Sequence, residues 1–324
     1  MTDRLRRIGL AALRFALSGL LLWLLLRQAD VTALAGRLAG VDPGWLAAAF
    51  ALTAVQVVLI SWRWAFIMAG LDAAIGTARA LRINLAAFFL GQALPTSIAG
   101  DVWRVWRLRA LGHGVGTAVR GVLVDRTTAL LGLVAVVLAT GPALLARMPD
   151  PAMRGGLLAG LGTGMALLAL ALAADRLPGR WLSGRLRGVA EFGRTVRGLL
   201  ARPLTAVPIV GVSALVHLLA GATMWLIARG LDVPVGLVDC LVLMPPIVLV
   251  AGMPLSIAGW GLREGAVVAV FGLAGVPVEG ALLMSILFGA LLLLVSLPGG
   301  LFLALGETRT AGAALSPRRA GSDR

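Results

Sequence analysis

Six stretches of this chain are apolar for about as long as a bilayer core is thick. A core of about 30 Å takes about 20 helical residues to cross. The qualifying stretches are Ile8–Leu26, Trp45–Ala69, Gly121–Ala146, Gly155–Ala174, Ala206–Ala228 and Ala281–Leu305. Runs of that length leave little choice of fold, because backbone groups in hydrocarbon must be satisfied within the segment. The expected architecture is an all-α integral membrane protein. It reads as one polytopic domain over residues 1–324, with about six full spans.

Two further apolar stretches are broken. Ile83–Gly100 is interrupted by Pro95 and Gly100, and Leu237–Gly275 by Pro245, Pro246, Pro254, Gly259 and Gly261. Proline removes an amide donor and glycine weakens a helix. Lipid cannot replace the lost bonds, so such breaks belong against protein or a wet cavity. Both stretches read as re-entrant hairpins.

Charge placement gives the orientation. The net charge of +14 is due to arginine, as the chain has no lysine. Seven arginines lie in 175–203, a basic linker, and four in 101–120, whereas the linkers near 27–43, 147–154 and 229–236 share five. By the positive-inside rule both termini are cytoplasmic, which fits a plasma (inner) membrane protein. That arrangement closes if the first broken stretch enters and leaves on the inner side and the second on the outer. Arginines so placed flank spans and meet anionic lipid heads, and no nucleic-acid-binding module is present. The N-terminus has signal-like features, with Arg4, Arg6 and Arg7 before an apolar run, but a retained first helix is the simpler reading.

The breaks repeat. Leu94–Asp101, LPTSIAGD, aligns with Met253–Trp260, MPLSIAGW. Pro95, Ser97, Ile98, Ala99 and Gly100 match Pro254, Ser256, Ile257, Ala258 and Gly259 at a constant offset, and Arg104 matches Arg263 at the same offset. A span precedes and follows each broken stretch. The expectation is an inverted repeat of about 44–146 and 206–305, with discontinuous helices meeting near the midplane at a substrate site.

The segment FFLGQALPTSIAGDVWRVWRLRALGHGVGTAVRGVLVDR, Phe88–Arg126, resembles a pattern in the transmembrane, flippase-like domain of lysylphosphatidylglycerol synthases. PLSIAGWGLREGAVVAVFGLAGVP, Pro254–Pro277, is similar to its second hallmark. The resemblance runs from about Arg14 to Leu305. It implies a membrane protein that moves a phospholipid or related polar lipid between leaflets. Complete synthases also carry a soluble C-terminal domain that transfers an aminoacyl group from tRNA. With the sequence stopping at Arg324, lysyl transfer is not expected here.

Charge inside a span is costly and points to function. One candidate group is Asp101, Arg104 and Arg107. On a helix Asp101 and Arg104 lie one turn apart, and an arginine fork suits phosphate. The alternative is an interfacial helix anchored by Trp103 and Trp106, its arginines snorkelling to lipid heads. A second group is Asp125 and Arg126, neighbours that diverge on a helix, so each needs another partner. Asp101 suits Arg126, and a hairpin arginine suits Asp125. The alternative is a structural ion pair. The third is Arg263 and Glu264. Arg104 and Arg263 near opposite mouths of one cleft would hand over a phosphate in two steps, or else Glu264 caps a helix and Arg263 meets outer-leaflet heads. Asn84 and Gln92 either line the cleft or satisfy broken backbone. Gln56 and His217 read as interhelical hydrogen-bonders, Arg63 between Trp62 and Trp64 as an interface anchor, and Gly156, Gly160 and Gly164 as a packing stripe within the chain or between subunits.

Cys240 is the sole cysteine, and His113 and His217 stand far apart, so neither disulfide nor metal site is expected. No Walker loop or nucleophile elbow occurs, and no cofactor or catalytic residue is expected. The anticipated function is lipid translocation linked to envelope lipid metabolism. The alternatives are a lipid-modifying enzyme using Asp101, Asp125 or Glu264 as a base, a non-catalytic subunit of an envelope-lipid synthesis complex, and a small-solute permease. The expected partners are membrane lipids, anionic or lipid-linked, with homo-oligomerisation or an envelope-synthesis partner in addition.

Overall fold

The computed structural model describes residues 19–305 apart from 21–22, 25–26, 28–29, 95–97, 174–175, 177–184 and 253–258. Among these, five helices are long and apolar enough to cross a membrane. They are α2 (Pro43–Ala69), α5 (Val115–Arg147), α6 (Pro151–Ala173), α8 (Pro203–Gly230) and α11 (Val278–Ala304). They match five of the six expected spans. The sixth, Ile8–Leu26, lies mostly outside the described residues. Shorter elements are α1 (Val31–Ala39), α3 (Thr77–Ala93), α4 (Ala99–Ala110), the basic α7 (Arg185–Leu200), α9 (Leu237–Ala251) and α10 (Leu262–Gly272).

Both broken stretches are helix–break–helix units whose legs pack on each other, α3 on α4 and α9 on α10. The breaks are narrower than the proline and glycine positions suggested. Pro95 and Pro254 fall outside the described residues. Pro245 and Pro246 do not break anything. They lie inside α9, and the residues from Val242 to Ile247 are all buried, so neighbouring helices enclose the carbonyls that the prolines leave unbonded. Gly100 is likewise no break, being the second residue of α4. A Cβ there would come within 2.5 Å of the Ala87 carbonyl oxygen, so glycine is what lets the two legs touch. In the second unit the break does fall on glycine. Gly259 and Gly261 sit at φ +82° and +81°, a region that costs other residues steric strain.

The element order α2–α3–α4–α5 recurs as α8–α9–α10–α11. A second signature marks the same repeat and escaped the sequence reading. Gly70-Leu71-Asp72 ends α2 as Gly230-Leu231-Asp232 ends α8. Both aspartates take positive φ, 55° and 51°. Both are followed by the same closing bond, Ala73 N to Met68 O at 3.0 Å and Val233 N to Ala228 O at 2.8 Å. Asp tolerates this left-handed turn because its short side chain can bond locally.

The first helices of the two units run antiparallel. Asp42 N donates to Gly230 O at 2.9 Å at one end, Gln56 Nε2 to Thr223 Oγ1 at 2.9 Å midway, and Arg63 to Ser213 Oγ at 2.9 Å further on. Small residues set the closest approaches, as membrane packing favours. Gly132 lies directly on Ser213, and Gly299 on the backbone of Leu85 and Ala86. Any side chain at 299 would collide with that backbone, which cannot swing aside. Gly299→Ala should therefore lower stability by about 1–3 kcal/mol through overpacking of α11 on α3, read as a fall in the melting temperature of the detergent-solubilised protein. A variant melting like wild type would mean that the two helices are not in contact.

The Gly156, Gly160 and Gly164 stripe packs against none of the described residues. A Cβ at any of the three meets nothing within 4 Å. The sequence pattern identified the face but not the open space in front of it.

Candidate functional site

The first repeat and α8 enclose a polar cavity of about 150 Å3. Its chemistry comes from charges that local sequence placed on three different helices, α2, α4 and α5. Asp125 of α5 is the hub. One carboxylate oxygen accepts from Arg63 Nε of α2 at 3.0 Å, and the other from an Arg104 terminal nitrogen of α4 at 2.8 Å. All three residues are buried, at 3%, 3% and 5% exposure. Arg63 is thus no interface anchor. Its flanking tryptophans suggested one, but Trp64 is fully buried beneath Arg104, whose guanidinium carbon lies 4.1 Å from the ring centroid. Trp62 stacks instead on Phe66 at 5.3 Å.

Arg126 bonds Asp101, with Nη2 to Oδ1 at 3.0 Å and Nε to Oδ2 at 3.1 Å. This is the partner that helix geometry called for, and the i,i+3 approach of Arg104 to Asp101 is also present, at 3.6 Å. The pair stands at the cavity's open rim, the Arg126 side chain being 61% exposed. Asn84 of α3 lines the wall and donates to Ser61 Oγ at 3.1 Å. His217 also lines the cavity, and its Nε2 lies 3.1 Å from the Ala129 carbonyl oxygen. His217 and Gln56 therefore join helices, as the sequence suggested. Gln92 stays half-buried on the last turn of α3.

Three guanidiniums face two carboxylates here, so the lining residues carry one positive charge in excess. Arg104 Nε is buried and has no hydrogen-bond partner among the described residues. A donor left unbonded in a low-dielectric site costs free energy, and the excess charge of the lining favours an anion. A cavity of about 150 Å3 admits benzene, and a phosphate group is no larger. The arrangement suits an anionic group held by arginine forks.

Arg263 and Glu264 are not brought to this cavity. Glu264 Oε2 accepts from Gly261 N at 2.5 Å and caps α10. Its other oxygen takes Arg263 Nη2 at 2.6 Å and Ser285 Oγ at 3.0 Å. Arg263 stacks on Trp260 at 4.8 Å and fits against Gly289, where any side chain would strike its guanidinium. Both residues are buried, and the pair is neutral. The two repeat-related arginines thus have unlike surroundings: Arg104 shares its carboxylate with Arg63, while Arg263 has one to itself.

A further ion pair joins α5 to α9, Arg147 Nη2 to Asp239 Oδ1 at 2.6 Å, with both side chains 30% exposed.

The model of the lysylphosphatidylglycerol synthase TM region matches residues 11–299 of the chain. No curated protein matches it.

Proposed function

The chain belongs to the lysylphosphatidylglycerol synthase TM-region family, and from that premise we propose that it moves an anionic phospholipid or related polar lipid between membrane leaflets. Membership makes it a membrane protein with a lipid-related role. The observation that carries the finer reading is the polar cavity, with its excess positive charge and the Arg104 guanidinium in its lining. A phosphodiester head group would enter there while its tails stay in hydrocarbon. On this reading the protein is a carrier in the plasma membrane, not an enzyme.

The two four-helix units are read as inverted copies. The antiparallel run of α2 and α8 supports this, since repeats related by an axis in the membrane plane must begin in opposite directions. Arg263 is assigned a structural role in the second unit, and the phosphate contact is given to Arg104 alone.

Vesicle reconstitution tests the function. Fluorescent phosphatidylglycerol should cross faster than fluorescent phosphatidylcholine in the presence of protein, by roughly tenfold, because the choline cation meets the cavity's excess positive charge while the phosphodiester is common to both. Equal rates, or none above protein-free vesicles, would refute it. Topology is tested separately, with both termini placed in the cytoplasm. In a Cys240→Ala background, Arg194→Cys should label only from the inside and Pro234→Cys only from the outside. Both positions are exposed, whereas Gly230 on the same outer turn is buried against Trp45. Labelling of Arg194→Cys from outside reverses the assignment.

A further inference from the structure

A wide groove runs beside the polar cavity. It measures about 510 Å3 and is lined almost wholly by apolar side chains of α5, α6, α9 and α10. Ligand-sized pockets are roughly 300–1,000 Å3. One wall is the open face of α6, where Gly156, Gly160 and Gly164 withdraw from the lumen. Along that face the lining runs from Met153 to Leu168, about 22 Å at 1.5 Å per residue. One leaflet of a 30 Å core is only about 15 Å deep.

The groove and the cavity share a helix. Asp125, Arg126 and Ala129 of α5 line the polar cavity, and Leu130 and Val134 line the groove. Arg126, Leu130 and Val134 follow at i+4 spacing, so they form one stripe that passes from charged to apolar within about 12 Å. Residues 148–150 join α5 to α6, and both helices line the groove, α5 from Leu130 and α6 as far as Leu168. On α5 the lining of the polar site therefore ends where that of the apolar one begins. That is the layout of a lipid, with its phosphate and its chain joined end to end.

We infer that this groove seats one acyl chain of the same lipid whose phosphate enters the Arg104 cavity. The inference rests on the proposed function for the identity of the head group. In a bilayer the groove has no water to expel, and hydrocarbon chains already surround it. A chain thus gains little by entering, and selection between lipids comes from the tethered head group. Occupancy should then report head-group charge even though the groove has none.

Photocrosslinking tests this without any lipid movement. A benzoyl-phenylalanine replacing Leu161, which lines the groove, is compared with one replacing Leu170, which is 64% exposed and does not line it. The full chain is reconstituted in vesicles of equal phosphatidylglycerol and phosphatidylcholine, and lipid adducts are identified by mass. At 161 phosphatidylglycerol should be enriched roughly tenfold, because phosphatidylcholine shares the phosphodiester but brings a choline cation against the cavity's excess positive charge, while adducts at 170 mirror the bulk. Arg104→Gln should return the 161 adducts to the bulk ratio. Gly160→Leu meets none of the described residues, so it should fold, fill the groove and abolish most adducts at 161. Bulk composition at 161 in the parent chain would overturn the inference, as would crosslinks to a second copy of the chain, which make the groove a subunit interface. The two readings fail separately. Enrichment at 161 without transbilayer movement removes the transport function and keeps the groove, whereas movement with bulk adducts does the reverse.

Discussion

Asp125→Ala should destabilise the protein by about 3–5 kcal/mol, the cost of breaking a buried ion pair by removing one partner. Asp125 pairs with two arginines at once, each bonded to a different carboxylate oxygen and each more than nine-tenths buried. With the carboxylate gone, Arg63 keeps only Ser213 among its described hydrogen bonds. Arg104 keeps the longer approach to Asp101 and the Trp64 face. Both cations then stay buried, because α2 and α4 are held by apolar packing that charge does not control. The loss should show as a much lower melting temperature in detergent and a lower yield of folded protein. A second change sharpens the test. Arg63→Met in the Asp125→Ala background removes one orphaned cation and should restore part of the loss, a coupling that a double-mutant cycle measures. Asp101→Ala, by contrast, should cost no more than about 1 kcal/mol, because its partner Arg126 is mostly exposed. Equal effects at 101 and 125 would show that burial does not distinguish the two aspartates.

The sequence made spans legible because apolar length is a local property. The hairpins were legible for a similar reason, as the repeated SIAG run flags both breaks. Where reading failed, a tertiary fact decided the matter. Pro245 and Pro246 look like helix breakers residue by residue, yet enclosure by neighbours lets α9 continue through them. Arg63 carries the flanking tryptophans of an interfacial belt. Its true setting depends on Asp125, distant in sequence, and only the packing of α2 on α5 reveals it. The Gly-Leu-Asp turns were present in the sequence and went unread, since two three-residue matches mean little until the backbone shows the same left-handed aspartate in each. Repeat symmetry itself misled at Arg104 and Arg263. Equal spacing after SIAG suggested equivalent positions, but Arg104 lies in the middle of α4 and Arg263 is the second residue of α10, and the residue beside each sets its electrostatics. Glu264 is adjacent to Arg263 and satisfies it, whereas Arg104 reaches across to a carboxylate already shared with Arg63.

That asymmetry predicts different outcomes for two substitutions that the repeat alone would equate. Arg104→Ala should slow lipid movement by roughly ten- to a hundred-fold per folded molecule, the range set by losing one charge-assisted hydrogen bond of about 1.5–3 kcal/mol in the crossing state. Folding should suffer less, because Asp125 retains Arg63. Arg104→Lys keeps the charge but loses the fork and the flat stacking face over Trp64, so recovery should be partial. Arg263→Ala should do the opposite. It leaves Glu264 buried without its cation, held among the described residues by the Ser285 hydroxyl and the Gly261 amide, and opens a space against Gly289. The expected result is a stability loss of about 3–5 kcal/mol with near-normal transport in the molecules that fold. Arg263→Ala with Glu264→Gln, which removes the stranded charge but keeps a side chain able to cap α10, should regain much of the stability. The deciding measurement is transbilayer movement normalised to folded protein, with melting temperature recorded on the same samples. If Arg263→Ala slows transport per folded molecule as much as Arg104→Ala does, the two arginines share the phosphate and the structural assignment of Arg263 is wrong. If neither slows it, the excess charge of the cavity serves packing alone.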